Sequence, residues 1–458
     1  MDHLHALDSI FLDIESDDVQ ANIGGVSIME GPAPTYQELA AQVESKLPLV
    51  PRYRQKLQFL PARFGRPIWV DDADFDIANH VLQPKLKAPV GRQQIDELFG
   101  EIMGTHLDRN LPLWTINVVD GLPDGQWAVL WTVHHAMVDG VAATDLLSLL
   151  LDFQREPETT EMPQWTPRPA PAQPRAMARA LGAPAGPTKP LRDLRRVLAK
   201  PRKAASVGVT ALRGMRPLGR SVVRGNNSPL NGPIGPRRRW ATAEIDLATI
   251  KQVRKATGGT VNDVVLAAVT NGLRELLLSR GESLDAYDTR TMVPVSVRTE
   301  DQSGEFANHV SAVFVDLPVA VDDPDERLRI LCEQMNALKE NDGATAGEVL
   351  AEVADYIQPA LFALGERVFW RVAAPERLMN TVTTNVPGPQ FPLYCMGREM
   401  LSLYPYVMLA KNIRVATAIF SYNGRVFFGV TGDYDTVTDL DVICDGIGAS
   451  VQALLEAA

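Results

Sequence analysis

An 85-residue stretch between residues 156 and 240 cannot belong to a regular core, and it divides the 458-residue chain in two. It holds 14 of the 33 prolines. Its opening run, PQWTPRPAPAQPRA, lacks too many backbone donors and too much φ freedom for a helix or a central strand. The same stretch carries 17 Lys/Arg against 4 Asp/Glu, a local charge of +13, so a net charge of −11 leaves −24 for the remainder. A net charge of −11 over the whole chain argues on average against general nucleic-acid binding. Within the stretch, residues 191–225 mix Leu, Val and Ala with Arg and Lys at near-helical spacing. That pattern suits basic helices lying on an anionic surface such as a membrane, and equally a helical linker whose arginines pair with the acidic flanks.

The flanks alternate between helical and strand-like text. On the N-terminal side, residues 36–47 have helical spacing, residues 126–133 (QWAVLWTV) form an apolar strand, and residues 139–153 form a helix burying Leu146, Leu147, Leu149 and Leu150. On the C-terminal side, residues 260–277 are a strong helix with Thr260 as its cap, and strands are expected at 291–297, 309–317, 415–422 and 425–431. Neither side shows a regular βαβ rhythm or a Gly-rich phosphate turn. The expectation is two mixed α/β domains, 1–155 and 241–458, joined by the linker 156–240. Three cysteines, Cys332, Cys395 and Cys444, are odd in number and far apart, which suits neither a disulfide framework nor a CxxC metal site. The start MDHLH has no basic region or apolar core of a signal peptide, and no run of about 18 apolar residues follows. A cytoplasmic location is therefore expected.

The most informative stretch is His134-His135-Ala136-Met137-Val138-Asp139-Gly140. Side chains alternate along a strand, so two adjacent histidines at its end point to opposite faces, and one at most enters a given site. Imidazole titrates near neutrality and can take a proton from a hydroxyl at pH 7. Asp139 falls where the chain turns into the next helix, as a cap or ion-pair partner, and Gly140 permits close backbone approach. An HExxH zinc pattern and a GxSxG nucleophile elbow are both absent. On residue chemistry alone, a catalytic histidine and a pair of hydrogen-bonded core histidines weigh equally.

HHAMVDG resembles the HHxxxDG signature shared by CoA-dependent acyltransferases, plant-type alcohol acyltransferases and peptide-synthetase condensation domains. Further segments occur in order: the opening LDSIFLDIE, Pro112-Leu113-Trp114 followed by TINVVDGL, SPLNGPI at 228–234, NDVVLA at 262–267, VPVSVR at 293–298 and NVPGP at 385–389. Together, from about residue 4 to 456, they resemble the bacterial wax ester synthase/diacylglycerol acyltransferase family, in particular its actinobacterial triacylglycerol synthases. The DFGWG signature of the plant alcohol acyltransferases is missing.

The resemblance implies two chloramphenicol-acetyltransferase-like domains with mixed sheets and an active-site tunnel between them. It implies His135 as general base, with His134 supporting it from the opposite face of the strand. Asp139 would pair with an arginine that holds the motif loop, with Arg298, Arg52 and Arg54 as candidates. Asn262 and Thr384, with Asn385 beside it, are candidates for the oxyanion donor or for substrate contact. Each has a plainer reading: Asn262 and Asp263 as the capped start of a helix, NVPGP as a rigid turn, and Pro112 and Trp114 as shapers of the tunnel or the packing. The implied reaction moves a long-chain acyl group from acyl-CoA to diacylglycerol or a long-chain alcohol. It needs no metal, acyl-enzyme or cofactor beyond acyl-CoA as co-substrate, and it takes place at the inner face of the membrane or at lipid inclusions. Two alternatives stand beside it: an acyltransferase of polyketide-lipid or peptide assembly with a carrier-bound donor, and a lipid-surface binding protein whose catalysis has lapsed.

Overall fold

The computed structural model describes residues 2–59, 67–137, 147, 149–156, 165–168, 228–296, 310–340 and 378–457. Asp139, Gly140, Arg298 and the basic stretch 191–225 lie outside the described residues. Among those described, two six-stranded mixed sheets form the frame, beside a small sheet of β1 (Asp2–His3), β4 (Ile68–Asp71) and β3 (Gln55–Gln58). The first large sheet has the order β12 (Tyr394–Cys395), β13 (Arg398–Tyr406), β2 (Asn22–Met29), β7 (Trp127–His134), β6 (Trp114–Val119) and β5 (Val81–Leu82). The second has the order β10 (Val310–Asp316), β9 (Arg290–Ser296), β11 (Thr381–Pro387), β14 (Val415–Tyr422), β15 (Arg425–Asp433) and β8 (Arg238–Asp246). In it, β11 runs parallel to both of its neighbours.

The sequence accounts for most of these elements. β7 reads WAVLWTVH and is buried along its whole length, as a central strand covered on both faces must be. Helix α2 (Tyr36–Lys46) opens with a reciprocal cap between Thr35 and Glu38. The helix expected at 260–277 is α5 (Val261–Ser279), and Thr260 caps it as expected, its Oγ1 accepting from Asp263 N at 3.2 Å. The four C-terminal strands expected from the apolar runs are β9, β10, β14 and β15. Of the helix expected over 139–153, residues 147 and 149–150 are described as helical, with Leu149 and Leu150 buried.

A boundary at residue 240 does not separate the two sheets. Residues 394–406, far into the C-terminal half, supply β12 and β13 to the first sheet, with β13 antiparallel to β2 from Met400 opposite Met29 to Tyr406 opposite Gly24. The return strand also lies hard against the second sheet: a Cβ on Gly429 of β15 would sit 1.7 Å from Pro405 O, so only glycine allows that approach. Arg238, at the start of β8 and 3% exposed, donates to Asp18 O and to Gln20 Oε1 in the N-terminal half.

The second sheet has two distinct faces. Val415, Ile419, Val426, Phe428 and Val430 face α4 (Leu247–Thr257), α5, α6 (Pro324–Glu340) and α7 (Leu440–Ala457) and form one core with them. Val382, Ala416, Ala418 and Phe427 face the other way and merge into the core of the first sheet. A continuous apolar core thus joins the halves.

Candidate active site

β7 delivers the histidine pair, and its backbone is tied on both sides. His134 N donates to Leu113 O at 2.9 Å, just before Trp114, and His135 N donates to Ala21 O at 2.7 Å, just before β2. The pair then separates as strand alternation requires. His134 is 1% exposed, whereas His135 opens a short 3-10 turn and is half-buried.

The two rings have different chemistry. His134 Nδ1 accepts the Ala136 N–H at 2.9 Å, so its proton must reside on Nε2, which faces Glu15 Oε1 at 3.3 Å. That carboxylate also accepts from Ala21 N at 3.0 Å and from Arg109 Nη2 at 2.5 Å, and His106 Nδ1 lies 3.3 Å from it. Burial alone would raise the Glu15 carboxyl; the bonds from His134, Arg109 and Ala21 outweigh it and hold the group well below the usual carboxylate range. His135 lies face to face with Phe11, ring centroids 3.6 Å apart at 10°. Burial pushes its imidazole down to about 4; its own backbone opposes that shift and the neighbouring His134 adds to it. His135 is therefore neutral at pH 7, with a lone pair available for a proton.

Asn262 and Asn385, taken from segments 123 residues apart, meet: Asn385 Nδ2 donates to Asn262 Oδ1 at 3.1 Å. Thr384 does not join them. It shares a strand face with Val382 and stands opposite Ala418, on the side of β11 that looks towards the first sheet, whereas Asn385 stands opposite Ile419 on the helix side. Asp263 Oδ2 accepts the N–H and hydroxyl of Thr260, both at 2.7 Å, and so serves the helix cap.

Pro112 is buried, and Trp114, 0% exposed, donates Nε1–H to Tyr53 O at 2.8 Å and stacks on His80 at 4.5 Å. Arg52 donates to Gln55 Oε1 at 2.9 Å and lies over Trp69, and Arg54 is buried with its guanidinium 4.0 Å from the Trp165 ring centre. Asp139, Gly140 and Arg298 are outside the described residues, so the partner of Asp139 is not among these contacts.

Sequence reasoning missed Glu15, Phe11, Arg109 and His106. One signal was available: Phe11 and Glu15 stand four residues apart in LDSIFLDIE, the spacing that places two side chains on one helical face. Nothing in the sequence ties that face to a strand end 120 residues later.

The family model described as the wax ester synthase/diacylglycerol acyltransferase catalytic domain matches residues 4–265, and that for the WS/DGAT C-terminal domain matches 306–455. A probable diacylglycerol O-acyltransferase of Mycobacterium tuberculosis, tgs1, is 35% identical over 463 residues, covering 99% of this chain and 96% of its own. Among solved structures, the wax ester synthase/diacylglycerol acyltransferase from Marinobacter aquaeolei VT8 superposes with a TM-score of 0.71 at 24% identity, covering 99% of this chain and 98% of that one. The first condensation domain of the calcium-dependent antibiotic synthetase superposes with a TM-score of 0.58 at 14% identity, covering 100% and 95%. Both likenesses speak to the two-domain fold.

Proposed function

The chain belongs to the wax ester synthase/diacylglycerol acyltransferase family, and from that premise we propose that it moves a long-chain acyl group from acyl-CoA to the hydroxyl of diacylglycerol. The observation that carries the mechanism is the half-buried, neutral His135 on its Phe11 platform. As the acceptor oxygen attacks the thioester carbonyl carbon, its proton passes to the His135 imidazole. As the C–S bond breaks, the imidazolium returns that proton to the departing CoA thiolate. Holding donor and acceptor together supplies much of the acceleration, so the reaction needs no acyl-enzyme. Thr384, on the face of β11 towards the first sheet, is the proposed polar contact for the developing oxyanion, and the Asn262–Asn385 pair, on the helix side of the same strand, is proposed as a separate polar contact for the substrate. Purified protein given radiolabelled long-chain acyl-CoA with diacylglycerol, monoacylglycerol or hexadecanol, read by thin-layer chromatography, should form labelled triacylglycerol; labelled wax ester from hexadecanol would extend the acceptor range. Activity only with a carrier-bound donor would replace this reading.

The depressed His135 pKa makes a second expectation. Below that pKa the ring is protonated and cannot act as base, so kcat/KM should hold as pH falls through 6.5 and drop by half only near pH 4. The profile is read where circular dichroism shows folded protein. A midpoint near 6.5, that of an exposed imidazole, would contradict the buried-base geometry.

The acceptor and product are nearly insoluble, so the catalyst must visit the lipid phase. Among the described residues no helix is long and apolar enough to cross a membrane. Reversible surface binding through the cationic stretch 191–225 is the proposed route, each cation contributing about 1 kcal/mol near an anionic leaflet. Binding to anionic vesicles should weaken with salt, and charge reversal at Arg192, Arg195 and Arg196 should reduce it more than it reduces activity on detergent-dispersed substrate. A triple variant that loses thermal stability yet binds vesicles normally would show instead that these arginines clamp the acidic halves.

A further inference from the structure

We propose that Glu15 is the positioning residue of the histidine motif, a single carboxylate that fixes both histidines at once; the proposal rests on the assignment of His135 as base. Helix α1 (Ala6–Ile14) ends beside the motif and presents Phe11 and Glu15 one turn apart. Phe11 lies flat on the His135 ring. One turn on, the Glu15 carboxylate lies 3.3 Å from His134 Nε2 and takes the N–H of Ala21, whose carbonyl in turn accepts the His135 N–H. The same acid thus orients the ring behind the base and the backbone segment to which the base is tied.

The carboxylate is itself held from behind. Its side chain is 5% exposed, and Arg109 reaches both Oε2 and the carbonyl of Leu12, closing the helix end onto the acid. His106 spans Glu15 Oε1 and Ser16 O at 3.3 and 3.1 Å. This shell keeps Glu15 ionised in a buried setting. An ionised acid accepts from Ala21, and pairs with the His134 ring that faces it, more strongly than a neutral group does. Partners that orient a metal-bound histidine from behind typically carry a roughly 10–100-fold share of activity, and an effect of at least the lower end of that scale is expected for an acid behind this histidine pair.

The test combines kinetics with the ring signals. Glu15→Gln keeps the size and removes the charge; kcat should fall about tenfold or more, with KM for acyl-CoA and diacylglycerol within about twofold. In histidine-labelled wild-type protein, nitrogen NMR should show His134 as the Nε2–H form with a hydrogen-bonded, slowly exchanging proton, and that signature should weaken in Glu15→Gln. Should Glu15→Gln fail to fold, Arg109→Lys, which loosens the acid's anchor, should lower kcat in the same direction by a smaller factor. A kcat within twofold of wild type in either folded variant, or a loss that follows KM and the melting midpoint together, would overturn the proposal. So would wild-type His134 protonated on Nδ1. Wild-type protein that has this NMR signature but no acyltransfer would overturn the His135 assignment and leave the clamp standing.

Discussion

His135→Ala should lower turnover by roughly 10²–10⁴-fold, the share a positioned general base contributes, while the protein stays folded. The ring is half-buried, and its loss removes one stacking partner of Phe11, not a polar group on which other bonds depend. His134→Ala should behave differently. That ring is 1% exposed, satisfies Ala136 N and faces a buried carboxylate, so removing it leaves Ala136 N without that acceptor and opens space beside Glu15, and should lower the melting midpoint along with activity. The comparison is made with initial rates on acyl-CoA and diacylglycerol beside thermal unfolding of both variants. Near-normal turnover by folded His135→Ala would remove the base from the mechanism.

Trp114→Ala should be the most damaging substitution outside the histidine pair. The indole is fully buried, stacks on His80, meets Tyr53 edge-on and donates to Tyr53 O. Deleting such a side chain typically costs about 3–5 kcal/mol, from lost transfer energy and the cavity left behind. For a chain of 458 residues with one continuous core, that corresponds to a fall of roughly 3–5 °C in the melting midpoint. Because Leu113, the preceding residue, holds His134 N, activity should fall as well. Scanning calorimetry checks the first effect, and a shift under about 2 °C would show that neighbouring side chains fill the space.

The strands and helices with strong local signals were legible in the sequence. β7 is a run of apolar residues with no interruption, and α5 carries both its cap and its periodicity in one segment. The histidine motif announced itself; strand alternation put the two rings on opposite faces, and the family resemblance assigned the base to His135. The return of β12 and β13 to the first sheet was not legible, because strand pairing between residues 394–406 and 22–29 depends on which edges are free, a property of the assembled fold. Asn262 and Asn385 were singled out separately; only the folded chain brings the start of α5 within hydrogen-bond reach of β11. Glu15 was hidden for the same reason. A single acid at the end of a short amphipathic helix looks like any solvated helix end until the strand it serves is placed beside it.

The most direct measurement on the central claim is the intact mass of the protein after incubation with long-chain acyl-CoA in the absence of any acceptor. Direct transfer assisted by His135 predicts an unchanged protein mass and negligible release of free CoA until diacylglycerol is added, when CoA and triacylglycerol should appear together in equal amounts. A protein carrying one acyl group, formed with CoA release before acceptor is present, would contradict it and show that the chain passes through an acyl-enzyme.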